Sequence, residues 1–149
     1  MKKLLLFASL LLLLRSIEAR GEVITYIDHT VSGTGTSTVV TEVERTVNTD
    51  DPDVIYSTEL PSLLNVESGN VEIYNKTVVL NSDHVFNNPI VCWGTVNIIL
   101  CGGYTLNCWK MLNVASGHTL NIYAKKGSTG TLVAKGGDDN AGIGSIENV

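Results

Sequence analysis

The feature that most constrains this chain is a phrase that occurs twice. LNVESGNVEIY occupies residues 64–74 and LNVASGHTLNIY occupies residues 112–123, so the two copies begin 48 residues apart. When one inserted residue is allowed, seven of the eleven aligned positions are identical. A weaker echo around Ile98 lies between them, 25 residues after Ile73 and 24 before Ile122. Fixed periods of this size are typical of stacked repeat architectures.

Each period contains three short strand-like segments separated by turn compositions such as CGG and KKGS. In the clearest segment Val96 and Ile98 share one face, whereas Asn97 falls on the other. This alternation indicates strands with one buried and one wet face. We therefore predict an all-β fold, a short right-handed parallel β-helix of about three coils of about 24 residues each.

The repeated phrase is then expected to be one corner of a coil, so that Ile73, Ile98 and Ile122 stack on successive rungs. The predicted core consists of the inward residues Val71, Ile73, Val96, Ile98, Leu106, Leu120, Ile122 and Leu132. The competing fold is an antiparallel β-sandwich, which also uses short strands and frequent turns. A sandwich gives no reason for a repeat with matched turns.

The N-terminal residues have the pattern of a secretory signal peptide over residues 1–19. Lys2 and Lys3 precede an apolar run that is too short to span a bilayer, and Ala19 provides a small residue for cleavage. The chain is therefore expected to be secreted or displayed at the cell surface, with no membrane insertion after cleavage. Its formal charge changes from −5 to −7 when Lys2, Lys3, Arg15 and Glu18 are removed, which argues against nucleic acid as a partner.

Residues 20–60 are interpreted as an N-terminal β cap or linker region, and residues 61–149 as the β-helix coils. EVITYI and STVVTEVERTV, within the first of these, are expected to pair as a hairpin over the N-terminal end of the coils. The sequence stops just after a third-strand phrase, so we expect a truncated C-terminal end that further coils or chains would cover.

Three cysteines follow the signal peptide, namely Cys92, Cys101 and Cys108. An odd number cannot form a complete set of disulfides in an exported protein. The alternatives are one bridge with a free thiol, or three small buried apolar residues.

The segment VNIILCGGYTLNCWKMLNVASGHTLNIYAKKGSTGTLVAKGGDDNAGIGS resembles a group of exported bacterial Gly-rich β-helix repeat proteins. These proteins carry a VNLIL…SGxTLxIY…GTLxAxGG…AGIGG block, and the resemblance covers residues 60–145. It implies a secreted or cell-surface β-helix module, mostly of unassigned activity, and it supplies no catalytic residues. The chain departs from the pattern in CGGY, where an acidic residue is common, and in GIGS, where a second glycine is common.

Acidic residues are sparse in the coil region. β-Helix enzymes that cleave polysaccharides need clustered carboxylates, but Glu67, Glu72 and Asp83 are followed by no acid before Asp138. We therefore expect no catalytic residues, no metal site and no cofactor. The alternative is a Ca²⁺ site in an oxygen-rich turn, formed by Asp50, Asp51 and Asp53 or by Asp138 and Asp139.

Trp93, Trp109 and Tyr123 fall at outward or corner positions beside Asn and Thr residues. Exposed rings next to hydrogen-bonding groups suit sugar binding, although the rings could instead pack against a neighbouring coil or the cap. We expect a non-enzymatic secreted or cell-surface module for adhesion or glycan binding, whose partner is a glycan or a host or cell-surface component. The alternative is the N-terminal part of a polysaccharide-degrading β-helix enzyme, a lyase or glycoside hydrolase.

Overall fold

The computed structural model describes residues 21–33, 38–136 and 141–145. The expected signal peptide and the aspartates Asp138 and Asp139 lie outside these residues. Within the described ranges, no helix has the length and apolar character needed to cross a membrane.

The described residues form fourteen strands and a 3-10 helix, Ser57–Leu63. The strands are β1 Val23–Ser32, β2 Val39–Asn48, β3 Val54–Tyr56, β4 Leu64–Asn65, β5 Asn70–Tyr74, β6 Thr77–Val79, β7 His84–Phe86, β8 Ile90–Trp93, β9 Thr95–Leu100, β10 Thr105–Cys108, β11 Leu112–Val114, β12 Thr119–Lys125, β13 Thr131–Ala134 and β14 Ile143–Gly144.

These strands stack into three sheets that the chain visits in a fixed order. Sheet B contains β14, β11, β8, β5 and β4, sheet A contains β2, β1, β12, β9, β6 and β3, and sheet C contains β13, β10 and β7. From β5 to β14 the chain passes from sheet B to sheet A to sheet C, and equivalent strands pair in parallel. The chain is therefore a β-solenoid of about four turns of about 23 residues. The parallel β-helix prediction is confirmed, and the sandwich is excluded.

The solenoid has more turns than the three expected because its parallel pairing begins early. Val54–Tyr56 lies within the segment expected as a cap or linker, yet it pairs in parallel with β6 as a further rung of sheet A. The prediction placed the start of the coils at residue 61, and this first rung begins before it.

The register confirms only part of the predicted isoleucine stack. Ile98 pairs with Ile122 on one side and with Val78 on the other, all within sheet A. Ile73 instead pairs with Cys92 in sheet B. The prediction that Ile73 stacks with Ile98 is therefore wrong.

The two copies of the phrase fold differently despite their similarity. Gly69 and Gly117 both adopt positive φ, at 70° and 82°, so both copies turn at the same place. After the first turn β5 returns antiparallel to β4 in sheet B, with Leu64 opposite Val71. After the second turn the chain moves from β11 to β12, which means from sheet B to sheet A. The shorter first turn is closed by Asn65, whose Oδ1 accepts hydrogen bonds from the N–H groups of Glu67 and Ser68.

One hydrophobic core fills the solenoid. Five of the eight predicted core residues are fully buried, namely Val71, Ile73, Val96, Ile98 and Leu106. Leu120 and Leu132 in the last coil are only partly buried, and Ile122 is 41% exposed. The inward residues of a rung are covered by the rungs on either side, whereas on its outer side β12 is paired with β1 only at Ala124 and Lys125.

The predicted N-terminal hairpin is present, but its position differs from the prediction. β1 and β2 pair along their full length, from Val23 opposite Asn48 to Ser32 opposite Val39. β1 also pairs antiparallel with β12, the last coil strand of sheet A, rather than covering the N-terminal end. Ile24 of the hairpin is buried against outward residues of sheet A, in a second apolar cluster with Val79, Ile99 and Cys101. At the N-terminal end it is the 3-10 helix that adds a buried residue, Leu60, to the core.

The three cysteines are free and buried. Burial is the main cause that raises the pKa of the Cys92 thiol to about 12 and that of Cys108 to about 11. Both thiols are therefore protonated at neutral pH and act as apolar core groups.

We expect Ile98→Asp to unfold the module, because an unpaired carboxylate buried in the middle rung costs several kcal/mol, a large part of the roughly 5–15 kcal/mol that stabilises a domain. Ile122→Asp is the matched control, since its side chain is a register partner of Ile98 but is 41% exposed. Circular-dichroism melts of both variants measure the difference. Equal melting temperatures for the two variants would contradict the register.

Candidate functional site

An aromatic ledge lies at the corner where the chain passes from sheet B to sheet A. It consists of Tyr74, Trp93 and His118. Tyr74 and Trp93 are opposite each other in the β5–β8 pair, and their rings are stacked with centroids 5.8 Å apart and planes inclined by 11°. His118 meets Trp93 edge-on at 5.1 Å. Tyr74 is 54% exposed, so the ledge presents an aromatic ring to solvent.

Glu72 anchors the exposed ring of the ledge. Its carboxylate accepts hydrogen bonds from Tyr74 Oη at 2.7 Å, Ser68 Oγ at 3.0 Å and Asn65 Nδ2 at 3.2 Å. The bond from Tyr74 is the first cause that lowers the pKa of Glu72, and the same bond raises the pKa of Tyr74. The ledge therefore carries an ionised carboxylate and a neutral phenol, and the phenol is held in place by a charge-assisted bond.

A tight corner positions the other end of the ledge. The N–H of Gly94 donates to Nδ1 of His118 at 2.8 Å, which requires that this nitrogen carry no proton. Gly94 has φ 68°, and Asn75 at the equivalent corner of the preceding coil has φ 48°, so the backbone is left-handed at both corners. Asn75 Oδ1 accepts a hydrogen bond from Thr95 N at 3.0 Å, which ties two successive corners together.

A polar ladder continues from the ledge across the outward face of sheet A. Thr77, Asn97 and Asn121 are register partners on three neighbouring strands. Asn121 Nδ2 donates to Asn97 Oδ1 at 2.9 Å, and Asn97 Nδ2 donates to Thr77 Oγ1 at 3.2 Å. The ledge ends strands of sheet B and the ladder belongs to the strands of sheet A that follow them in the chain; we call the two together the strip. Such a strip can stack on a flat apolar ring face and bond to hydroxyl groups.

The structure does not bring the three predicted site residues together. Trp93 belongs to the ledge in sheet B, and its buried indole N–H has no hydrogen-bond partner among the described residues. Trp109 follows β10 of sheet C; it is 48% exposed, and Lys135 Nζ lies 3.8 Å from its ring centroid. Tyr123 lies in sheet A with its centroid 4.7 Å from that of Tyr26.

Tyr123 packs beneath the hairpin as part of the second apolar cluster. Burial is the first cause that raises the pKa of its phenol. Its contacts are those of a packing residue, which was the alternative interpretation of the aromatics.

Sequence reasoning missed Tyr74 and His118 as members of the site. The repeated phrase aligns Tyr74 with Tyr123, but the register partner of Tyr74 in the structure is Trp93. The signal that could have found it is the pair of segments NVEIY and PIVCW, which place Tyr74 and Trp93 at the same final position of their strands.

The aspartates of the first calcium candidate make contacts within their turn and with two other segments. Asp50 accepts a hydrogen bond from the N–H of Gly21, and Asp51 Oδ1 accepts one from Asp53 N at 2.9 Å. Asp53 also forms an ion pair with Lys76 at 2.8 Å. No group of three or more potential metal ligands occurs in the part of the chain that the structure describes.

Comparison of the chain with protein-family models, with curated proteins and with solved structures finds no match.

We expect Gly94→Ala to destabilise the protein more than Gly117→Ala. Both glycines have positive φ, at 68° and 82°, so both substitutions carry backbone strain of about 1–3 kcal/mol. A methyl group at Gly94 would also collide with the side-chain amide of Asn75, whereas nothing lies within 4 Å at Gly117. Loss of the Asn75–Thr95 bond should add about 1 kcal/mol at Gly94. Urea unfolding curves of the two variants measure this difference, and equal losses would show that the corner is not packed as described.

Proposed function

We propose that this protein is a non-enzymatic, secreted or cell-surface β-helix module that binds glycans through the strip and serves adhesion. The observation that carries the proposal is the Tyr74 ring, exposed and stacked on Trp93 beside the polar ladder. Sugar rings have flat apolar faces that stack on aromatic rings, and their hydroxyl groups bond to amides such as those of Asn97 and Asn121. The strip is open rather than enclosed, which suits an internal stretch of a polysaccharide and weak affinity at each contact.

The hydrogen bonds of the carboxylates in the coil region support a binding role rather than hydrolysis or lyase chemistry. Glu72 accepts three side-chain hydrogen bonds. Asp83 Oδ1 accepts one from the backbone N–H of Thr105 at 2.6 Å. A carboxylate committed to structural bonds is poorly placed to act as a general acid or base, because proton transfer would cost those bonds.

Glycan-array screening followed by calorimetry on the best glycan tests the proposal. Tyr74→Ala should weaken binding about fivefold, since ring stacking contributes roughly 1 kcal/mol. Tyr74→Phe keeps the ring and should bind nearly as well as the parent chain. Trp109→Ala is the matched control, because it removes an exposed ring that lies outside the strip.

Two results would contradict the proposal. The first is glycan binding that Tyr74→Ala leaves unchanged or that Trp109→Ala weakens as much. The second is the release of reducing ends or unsaturated products from the bound polysaccharide, which would identify the protein as an enzyme.

A further inference from the structure

A cavity separate from the strip lies between the start of the hairpin and the corners where strands leave sheet A. Its volume is about 390 Å³. Ile24 of β1 lines one side, and the ends of β6, β9 and β12 line the other, with Val79, Cys101 and Lys125. Cavities that bind small ligands measure roughly 300–1,000 Å³, so this one can hold one or two sugar-sized rings.

The cavity combines apolar residues with aromatic side chains. Val79 and Cys101 are buried residues of the second apolar cluster, and Tyr56 and Tyr104 also line the cavity. Gly102 has φ 65° and lies against the Tyr104 ring, because a Cβ built on it would lie 2.6 Å from Tyr104 Cε2. The Tyr104 ring is 38% exposed, which leaves aromatic surface available to a ligand.

Basic side chains also line this cavity. Lys125 and Lys126 line it, two of the six lysines and arginines among the described residues. Glu22 is the single acidic residue among the described residues that line it. The lining itself therefore holds two lysines and one acidic residue, and a second carboxylate, that of Glu44 on β2, pairs with Lys126 from outside the lining.

Both ammonium groups retain free hydrogen-bonding capacity. Lys125 Nζ lies 3.1 Å from Glu22 Oε1, and Lys126 Nζ lies 2.6 Å from Glu44 Oε1. Each ammonium has three N–H donors, so one carboxylate partner leaves two for a ligand. Asn81 and Ser128 add side-chain polar groups to the same lining.

The backbone at this corner favours a carboxylate over a phosphate as the charged group of the ligand. Phosphate sites use several free backbone N–H groups, often from glycine-rich turns. Here the N–H of Gly102 already donates to Ser128 Oγ. The lysine ammoniums are charged donors of this lining, and they form charge-assisted hydrogen bonds with carboxylates.

We propose that this cavity binds a uronic-acid residue of an acidic polysaccharide. The carboxylate lies against Lys125 and Lys126, and the sugar ring stacks on Tyr104. The inference does not depend on the strip, since no residue of the strip lines the cavity.

NMR titration of the protein, expressed from the full chain, tests this inference. The two ligands are methyl β-D-glucuronide and methyl β-D-glucoside, which differ only at the carboxylate. The glucuronide should bind at least tenfold more tightly, because charge-assisted hydrogen bonds contribute roughly 1.5–3 kcal/mol. Lys125→Gln and Lys126→Gln should each weaken glucuronide binding about tenfold or more. Lys135→Gln changes the net charge equally, away from the cavity, and should have no effect.

A second pair of variants tests the aromatic wall. Gly102→Ala pushes the Tyr104 ring aside and should weaken binding of the glucuronide severalfold. Gly103→Ala has similar backbone strain, with φ 75° against 65°, but its methyl would meet only Thr129 O at 3.9 Å. This control variant should bind the glucuronide as the parent chain does.

Four results would overturn the inference: equal binding of the glucoside, equally tight binding of inorganic phosphate, an equal loss in Lys135→Gln, or an equal loss in Gly103→Ala. Tyr74→Ala, which tests the strip, should leave glucuronide binding in the cavity unchanged. Failure of one proposal is thus distinguishable from failure of the other.

Discussion

The whole molecule depends on inward side chains that stack from one parallel rung to the next. In sheet A the column runs through Val78, Ile98 and Ile122, and each member is covered mainly by the rungs beside it. Burial therefore varies along the solenoid axis: the inward side chains of the middle rungs are fully buried, whereas Ile122 in the last described rung of sheet A is 41% exposed. Because the inward positions carry the packing, the outward positions and corners are free to carry other chemistry. The strip and the cavity both lie at such positions.

The coils could be predicted from the sequence because their cause is local. Alternating residues such as Val96, Asn97 and Ile98 define a strand with two different faces, and the 24-residue echo indicates stacked turns. The register of the first phrase could not be predicted in the same way. It depends on one missing residue opposite His118 and on the hydrogen bonds that N–H groups of the first turn donate to Asn65 Oδ1. Near-identical phrases can therefore enter different sheets when a turn differs by a single residue.

The candidate site was only partly predictable for a related reason. Strand parity placed Asn97 and Asn121 on one outward ladder, and their hydrogen bond confirms that register. Tyr123 has the same outward direction, yet the hairpin covers it through contacts such as that with Tyr26. Parity specifies which side a residue faces, but it does not specify what a distant segment places on that side. The pairing of β1 with β12 has no local signal in either strand.

That pairing also determines the order in which the structure can be completed. Lys125 bonds to Glu22 across 103 residues of sequence, so the first described strand finds its neighbour at the last rung. A chain made from its N-terminus exposes Ile24 and Tyr26 long before residues 119–125 exist to receive them. The coils can form rung by rung through short separations, whereas docking of the hairpin must wait until β12 has been made and has a greater loop-closure cost. The hairpin can therefore dock only after β12, its partner strand in sheet A, is in place.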